Sequence, residues 1–162
     1  MSSTMSKVGL MRAMLLALVM LAGCVPAPRP GQDEPEQAIR TALLDWTGDF
    51  NAGRQERICD LFATELRYDY GAFPERGHRA ICDLLHRSLD DPERRYRYDL
   101  EIKEILVSGD LAVVRLAWTL EVSERSTGET LARSTEPGMD VFRRQPDGGW
   151  KIIRYLAYEI DG

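Results

Sequence analysis

The sequence predicts an α+β domain in which helices come first and an antiparallel sheet follows. In the first part of the chain, Ile39, Leu43, Trp46 and Phe50 recur at helical spacing and share one face. From Arg95 onward, apolar residues alternate with polar ones, and glycine-containing turns separate the alternating segments. Helices followed by consecutive strands are typical of folds in which the helices pack on one face of a sheet.

Three helices are expected before the sheet. The first ends at Asn51-Ala52-Gly53, because Asn and Gly tolerate the left-handed backbone of a helix C-terminus. The second helix directs Ile58, Leu61 and Phe62 inward. The other elements predicted in this half are a second helix over 55–64, a strand over 66–70, a loop over 71–77 and a third helix over 78–89.

Four strands are expected in the second half, separated by turns at Ser108-Gly109-Asp110, Ser126-Thr127-Gly128 and Pro146-Asp147-Gly148-Gly149. Pro137-Gly138 interrupts the third of them and predicts a bulge or kink there. The predicted strands cover 95–107, 111–124, 130–144 and 150–159.

The N-terminus has the composition of an export signal. Lys7 and Arg12 precede an apolar run, and Leu21-Ala22-Gly23-Cys24 closes it. This pattern resembles the bacterial lipoprotein signal, which implies that Cys24 receives a diacylglyceryl group and becomes the first residue of the mature protein. A membrane-spanning anchor and a plain secretory signal remain as alternatives, although the apolar run is shorter than the roughly 20 residues that span a bilayer.

The lipoprotein resemblance divides the chain into three parts and implies its location. Residues 1–23 are the expected signal peptide, and residues 24–35 are the lipidated cysteine with a proline-rich spacer. Residues 36–162 are the expected domain, which is long enough for a single core. In the enteric sorting pattern, Asp directly after the lipidated cysteine retains a lipoprotein in the inner membrane. This chain has Val25 at that position. The resemblance therefore implies a periplasm-facing protein anchored to the outer membrane.

The charge balance excludes nucleic acid as a partner. The formal net charge is −5, and removal of the predicted signal peptide makes it about −7. An acidic chain without a basic cluster has no electrostatic footprint for a phosphate backbone or for anionic lipid headgroups. Membrane attachment is therefore expected through the acyl chains alone.

The expected domain resembles the nuclear transport factor 2-like superfamily, particularly its SnoaL-like polyketide cyclase and steroid-isomerase-like branches. The residues that carry this resemblance are Trp46…Phe50-Asn51-Ala52-Gly53, Ile58…Leu61-Phe62-Ala63, Glu75-Arg76-Gly77, and Val141-Phe142-Arg143-Arg144…Asp147-Gly148-Gly149-Trp150-Lys151-Ile152. The resemblance implies a cone in which a curved antiparallel sheet wraps around the helices and leaves a pocket. It also implies a possible homodimer through the outer face of the sheet.

Five residues are candidates for the pocket. A carboxylate base and an oxyanion donor are what an isomerase on this scaffold needs. Four of the candidates have an alternative role outside the pocket. Asp69 would be a solvated strand residue and Trp118 a core residue. Asp140 and Arg154 would pair with each other across neighbouring strands. The candidates are Asp69, Tyr70, Trp118, Asp140 and Arg154.

Cys59 and Cys82 are expected to form a disulfide if two helices pack side by side, since an oxidising periplasm permits one. Two buried free thiols are the alternative. No His/Cys cluster has metal-ligand spacing and no glycine-rich loop follows a strand, so neither a metal nor a cofactor is expected.

Two functional hypotheses follow. The first, which the sequence favours because no recognisable catalytic set is present, is a non-catalytic lipoprotein domain that binds a small apolar ligand or a protein partner. The alternative is an isomerase, cyclase or hydratase that acts on a small organic substrate in the cone pocket. Fold alone does not decide between them.

Overall fold

A computed structural model describes residues 33–161, with side chains for residues 33–160. Two helices and a 3₁₀ turn accompany a seven-stranded sheet. The helices are α1 (Asp33–Asn51) and α2 (His78–Asp90), and the 3₁₀ turn is Gln55–Arg57. The strands are β1 (Phe62–Tyr70), β2 (Arg76–Gly77), β3 (Arg94–Ser108), β4 (Leu111–Glu124), β5 (Thr130–Arg144), β6 (Trp150–Ala157) and β7 (Ile160–Asp161).

The sheet has the strand order β2-β1-β6-β5-β4-β3, and β7 pairs with β5 beside this path. All neighbouring strands are antiparallel except β1 and β6, which pair in parallel. The sheet is curved and mixed, whereas the sequence predicted a curved antiparallel one. The α+β class is confirmed, and a curved sheet with helices on one face is the arrangement that the resemblance implies.

The helices cover one face of the sheet. Ile39, Leu43 and Phe50 are at most 1% exposed, as their shared helical face predicts. They pack with the inward residues of the strands, such as Val114 and Phe142, which are fully buried. The core therefore lies between α1, α2 and the inner face of the sheet.

The helix α1 begins at Asp33, so the last three residues of the predicted spacer are helical. Pro35 is compatible with this start because the first-turn N–H groups of a helix have no intrahelical partner. Asp33, Glu34 and Glu36 also complement the positive end of the helix dipole. The predicted signal peptide, Cys24 and spacer residues 24–32 lie outside the described residues.

The prediction of a second helix over 55–64 is wrong. Residues 55–57 form only a 3₁₀ turn, and β1 begins at Phe62, four residues before the predicted strand. Ile58, Leu61 and Phe62 are nevertheless buried as predicted, at 0%, 5% and 7% exposure. A short apolar run fits a buried strand as well as a helix, because it is too short for its periodicity to distinguish them. The predicted loop also contains β2, which pairs with β1.

Pro137-Gly138 does not break β5. The pairing of β5 with β4 continues through both residues, and the irregularity in that pair lies at Val122 and Ser123. Instead, Pro137 separates the part of β5 that pairs with β7 from the part that pairs with β6. A Cβ atom at Gly138 would lie 3.0 Å from the Leu156 carbonyl oxygen, so glycine permits the close approach of β6.

Two tethers hold the helices. The Asn51 amide donates to the Tyr98 carbonyl at 2.8 Å and accepts from the Tyr98 N–H at 2.9 Å, which ties the end of α1 to the edge strand β3. Cys59 and Cys82 are joined in a disulfide whose Cα atoms are 5.7 Å apart, which ties the segment after the 3₁₀ turn to α2. Among the described residues, neither helix is long and apolar enough to cross a membrane.

Candidate functional site

A cavity of about 340 Å³ lies between the inner face of the sheet and α2. The helix contributes Ile81, Leu84, Leu85 and Ser88, and the segment before it contributes Phe73 and Arg76. Aromatic side chains make up much of the remaining wall. They are Trp46, Phe62, Tyr68, Tyr70, Tyr96, Tyr98, Trp118 and Tyr155.

Four polar side chains form a row across the inner face of the sheet. Arg76 on β2 lies opposite Tyr68 on β1, Tyr68 lies opposite Tyr155 on β6, and Tyr155 lies opposite Asp140 on β5. All four line the cavity. The row exists only in the folded sheet, because it joins β1 and β2 from the start of the domain to β5 and β6 from its end.

Asp140 ends this row in the interior of the molecule. It is 5% exposed, and its carboxyl forms no ion pair or hydrogen bond with residues 33–160. Burial raises its pKa to about 7, because the charged form loses its hydration in the apolar surroundings. Both protonation states are therefore populated near neutral pH.

Tyr68 and Tyr155 form the centre of the row. Their rings stack with centroids 4.3 Å apart and an interplanar angle of 17°. Burial, followed by the neighbouring Tyr68, raises the pKa of Tyr155, so its hydroxyl keeps its proton. The Tyr68 hydroxyl is buried and forms no well-aligned hydrogen bond within the described part of the chain. The Tyr155 hydroxyl is thus a proton donor in an otherwise aromatic wall.

A second acidic group, Glu136, lies opposite Trp118 and also lines the cavity. Burial raises the pKa of Glu136, whereas a hydrogen bond from Tyr70 lowers it and the charge of Glu159 raises it further. Burial, together with Glu136, raises the pKa of Tyr70 in turn. Glu136 and Tyr70 therefore form a local acid–phenol pair, unlike the unpartnered Asp140.

The mouth of the cavity carries a stack of three side chains. The Tyr70 and Phe73 rings are parallel within 19°, with centroids 6.4 Å apart. The Arg76 guanidinium lies over the Phe73 ring, 4.7 Å from the ring centroid. Phe73 is 56% exposed, so the stack borders solvent.

Three of the five predicted pocket residues line the cavity, namely Tyr70, Trp118 and Asp140. Asp69 is exposed, because alternation along β1 turns it away from its inward neighbours. Arg154 lies opposite Val141 rather than Asp140, and its guanidinium donates to the Glu65 and Ile153 carbonyls. The cross-strand pair considered for Asp140 and Arg154 is therefore not formed.

Sequence reasoning missed Tyr68, Tyr155, Glu136 and Arg76. Alternation gives a usable indication for Tyr68, which shares the inward face of β1 with Tyr70. Arg76 falls in the predicted loop over 71–77, where strand alternation assigns no face. The described residues contain no group of three or more His, Cys, Asp or Glu side chains placed to hold a metal ion.

Several solved structures have this fold. An NTF2-like protein with a cystatin-like fold from Novosphingobium aromaticivorans is 20% identical, with 99% of this chain and 94% of that chain covered and a TM-score of 0.64. A conserved protein from Planctomyces limnophilus is 19% identical, with 80% and 98% covered and a TM-score of 0.68. A ketosteroid isomerase-like protein from Erwinia carotovora atroseptica is also 19% identical, with 78% and 96% covered and a TM-score of 0.62.

No curated protein sequence matches the chain. The family model of the SnoaL-like domain matches residues 43–155, which include α2, β1 to β5, the second half of α1 and most of β6. That match covers well over half of the chain and contains the four residues of the polar row. The chain therefore belongs to the SnoaL-like domain family.

Proposed function

We propose that the domain binds a small, largely apolar organic molecule and that Asp140 moves a proton on it. The observation that carries this proposal is an unpaired carboxyl at the inner end of an aromatic cavity. A structural ion pair would have neutralised such a group, and an apolar side chain would have avoided the cost of burying it. Its retention in a cavity supports a chemical role.

The reaction class follows from the neighbouring groups. A carboxylate with a pKa of about 7 accepts a proton from a carbon next to a carbonyl and returns it near neutral pH. The Tyr155 hydroxyl, directly across from Asp140, is a donor for the oxygen that becomes negative. Isomerisation, cyclisation and dehydration all use this chemistry, and the family includes isomerases and dehydratases.

The proposal is testable without the natural substrate. In D₂O, a general base exchanges the α-protons of 2-tetralone, a bicyclic ketone with a fused benzene ring, and proton NMR follows the loss of signal. We expect the purified protein to accelerate the exchange saturably. Asp140→Asn should lower that acceleration by about 10² or more, in the range typical of general-base catalysis.

Asp69→Asn is the matched control, because Asp69 is exposed on β1 and does not line the cavity. It should leave the exchange rate unchanged. Saturable binding of the ketone without any accelerated exchange would contradict the proton-transfer role. That result would favour the second candidate function, ligand binding without chemistry, which the aromatic lining also supports.

We propose in addition that the domain works at the cell envelope, periplasm-facing and tethered through acyl chains on Cys24. The support is the sequence pattern that ends at Cys24, followed by prolines that suit an extended spacer. Acyl chains would place the cavity near a membrane, where apolar molecules concentrate.

A further inference from the structure

The polar row has a basic end that the proton-transfer proposal does not use. Arg76 lines the cavity and lies directly across from Tyr68 on the inner face of the sheet. Its guanidinium rests on the Phe73 ring, and it forms no ion pair with the residues that the structure describes. Arg67 on the neighbouring strand, in contrast, is paired with Glu75 at 3.5 Å.

Stacking on Phe73 orders the Arg76 side chain while leaving its edge N–H groups available. A guanidinium held by an aromatic ring keeps the planar donor fork that matches a carboxylate. Part of the entropic cost of fixing that side chain is therefore met before a ligand binds.

The Tyr68 hydroxyl is the second observation. Tyr68 is 3% exposed, and its hydroxyl meets that of Tyr155 without forming a well-aligned hydrogen bond to any described residue. A buried hydroxyl without a partner is costly, so most such groups are satisfied by protein, water or ligand. Because Tyr68 lies next to Arg76 and lines the same cavity, one ligand group within reach of both would satisfy it.

We propose that Arg76 and Tyr68 bind a carboxylate of the ligand, which makes the ligand an amphipathic aryl or polycyclic acid. This inference deepens the proposed function and rests on it for the identity of the cavity. The apolar body lies against the aromatic wall, and the reacting carbon lies toward Asp140 at the other end of the row. Three strand spacings separate the two ends, or roughly 14 Å between backbones, so the ligand extends beyond a single ring.

The opposing interpretation is a cationic ligand, because two acidic residues, Asp140 and Glu136, line the cavity. Two facts weigh against it. Burial disfavours the charged forms of Asp140 and Glu136, and Glu136 already accepts a hydrogen bond from Tyr70. An arginine guanidinium stays charged at neutral pH, and Arg76 is the one basic side chain among the residues that line the cavity.

The test compares three probes with one apolar body: 4-phenylbutanoate, 4-phenylbutanamide and 4-phenylbutylamine. Calorimetry on the purified protein at pH 7 gives their dissociation constants. We expect the acid to bind about tenfold or more tightly than the amide, which is the size of a charge-assisted hydrogen bond. Arg76→Gln should reduce that ratio to about one, and Tyr68→Phe should reduce it partially.

Arg67→Gln is the matched control, because it removes an exposed arginine from the adjacent strand and should leave the acid-to-amide ratio unchanged. Binding of the amide reports that the cavity of each variant is intact. Equal affinity for acid and amide, tighter binding of the amine, or no binding of any probe would each overturn the carboxylate site. So would an acid preference that persists in Arg76→Gln.

The two proposals fail in different ways. Asp140→Asn should lower the acceleration of 2-tetralone exchange by about 10² or more and keep the preference for the acid. An acid preference without any exchange activity supports the carboxylate site and removes the proton-transfer role. Exchange activity without an acid preference supports the proton-transfer role and removes the carboxylate site.

Discussion

Asp49 and Asp140 are the two buried acidic residues of the described chain, and each is 5% exposed. The Asp49 carboxylate is 2.6 Å from Arg54 and 3.5 Å from Arg57, so its charge is compensated where α1 ends. Asp140 has no such partner among residues 33–160, and it faces a cavity. The same burial therefore has different consequences, because the charge of Asp49 is compensated by two arginines whereas an uncompensated buried charge lowers stability.

The first prediction concerns the pH dependence of stability. The pKa of Asp140 is raised to about 7 in the folded protein, against about 3.9 in an unfolded chain. Between these values the folded state holds a proton that the unfolded state has released. Raising the pH therefore lowers the free energy of unfolding, by an amount on the order of 4 kcal/mol, until the decline ends above the folded pKa.

Asp140→Asn removes this titration, so its stability should not share the decline between about pH 4 and 7. At pH 8 we expect the variant to be more stable than the wild type by a few kcal/mol, on the order of the linkage term. Urea denaturation at pH 5 and pH 8 measures the difference. Asp69→Asn should follow the wild-type curve, and parallel curves for Asp140→Asn and the wild type would refute the assignment.

At the scale of single residues, the sequence predicted Asp140 as a pocket residue but not the side chains that lie next to it. Alternation along a strand indicates which residues share a face, whereas the cross-strand neighbours depend on register. The polar row needs three registers at once, including the parallel pairing of β1 with β6 across more than 80 residues. Arg76 and Tyr155 therefore became visible as neighbours of Tyr68 only in the folded sheet.

Among the elements, α2 forms a wall of the cavity through residues such as Ile81 and Leu85. The position of α2 is fixed partly by the disulfide that joins Cys82 to Cys59, a residue just after the 3₁₀ turn. The two histidines of the described chain flank this bond, with His86 3.8 Å from the Cys59 sulfur and His78 3.6 Å from the Cys82 sulfur. The disulfide thus holds one wall of the candidate site.

The second prediction is that reduction destabilises the domain. The bridged cysteines are 23 residues apart, and closing a loop of that length stabilises a fold by about 3 kcal/mol in the chain-entropy description. A Cys59→Ala/Cys82→Ala double variant should lose a comparable free energy of unfolding. Calorimetry of oxidised and double-variant protein measures it, and mass spectrometry of unreduced protein that finds two free thiols would contradict the bond.

Element boundaries differed in how well the sequence predicted them. Turn residues such as Gly109 and Gly148, both at positive φ, delimit β3 to β6 sharply, and β4 has the bounds that the sequence predicted. The segment from Gln55 to Thr64 contains neither Gly nor Pro, so nothing marks the change from 3₁₀ turn to strand. The misassigned helix falls in that stretch.

For the whole molecule, the outer face of the sheet is charged rather than uniformly apolar. Cross-strand ion pairs join Arg115 to Glu104 at 3.2 Å and Arg133 to Glu121 at 3.7 Å. Met139 lies opposite Arg115 on one side and Leu156 on the other, and both Met139 and Leu156 are exposed. The homodimer that the family resemblance implies stays a prediction, and these two residues are where its apolar contact would lie.

The final prediction tests the tether. If Cys24 is acylated, cells fed an alkyne-bearing fatty acid should incorporate the label into this protein, and the protein should remain with the membrane at high salt. Cys24→Ser should lose the label and leave the membrane fraction, because the acidic domain has no basic surface cluster to hold it on anionic lipid.

Val25→Asp is the matched variant for the tether. It keeps the cysteine, so it should keep the label, but by the enteric sorting pattern it should move from the outer to the inner membrane. Salt resistance distinguishes acyl chains from surface charge, since burial of methylene groups is insensitive to screening whereas ion pairing is not. An unlabelled wild-type protein, or a Cys24→Ser variant that stays with the membrane, would show that attachment comes from the apolar segment itself.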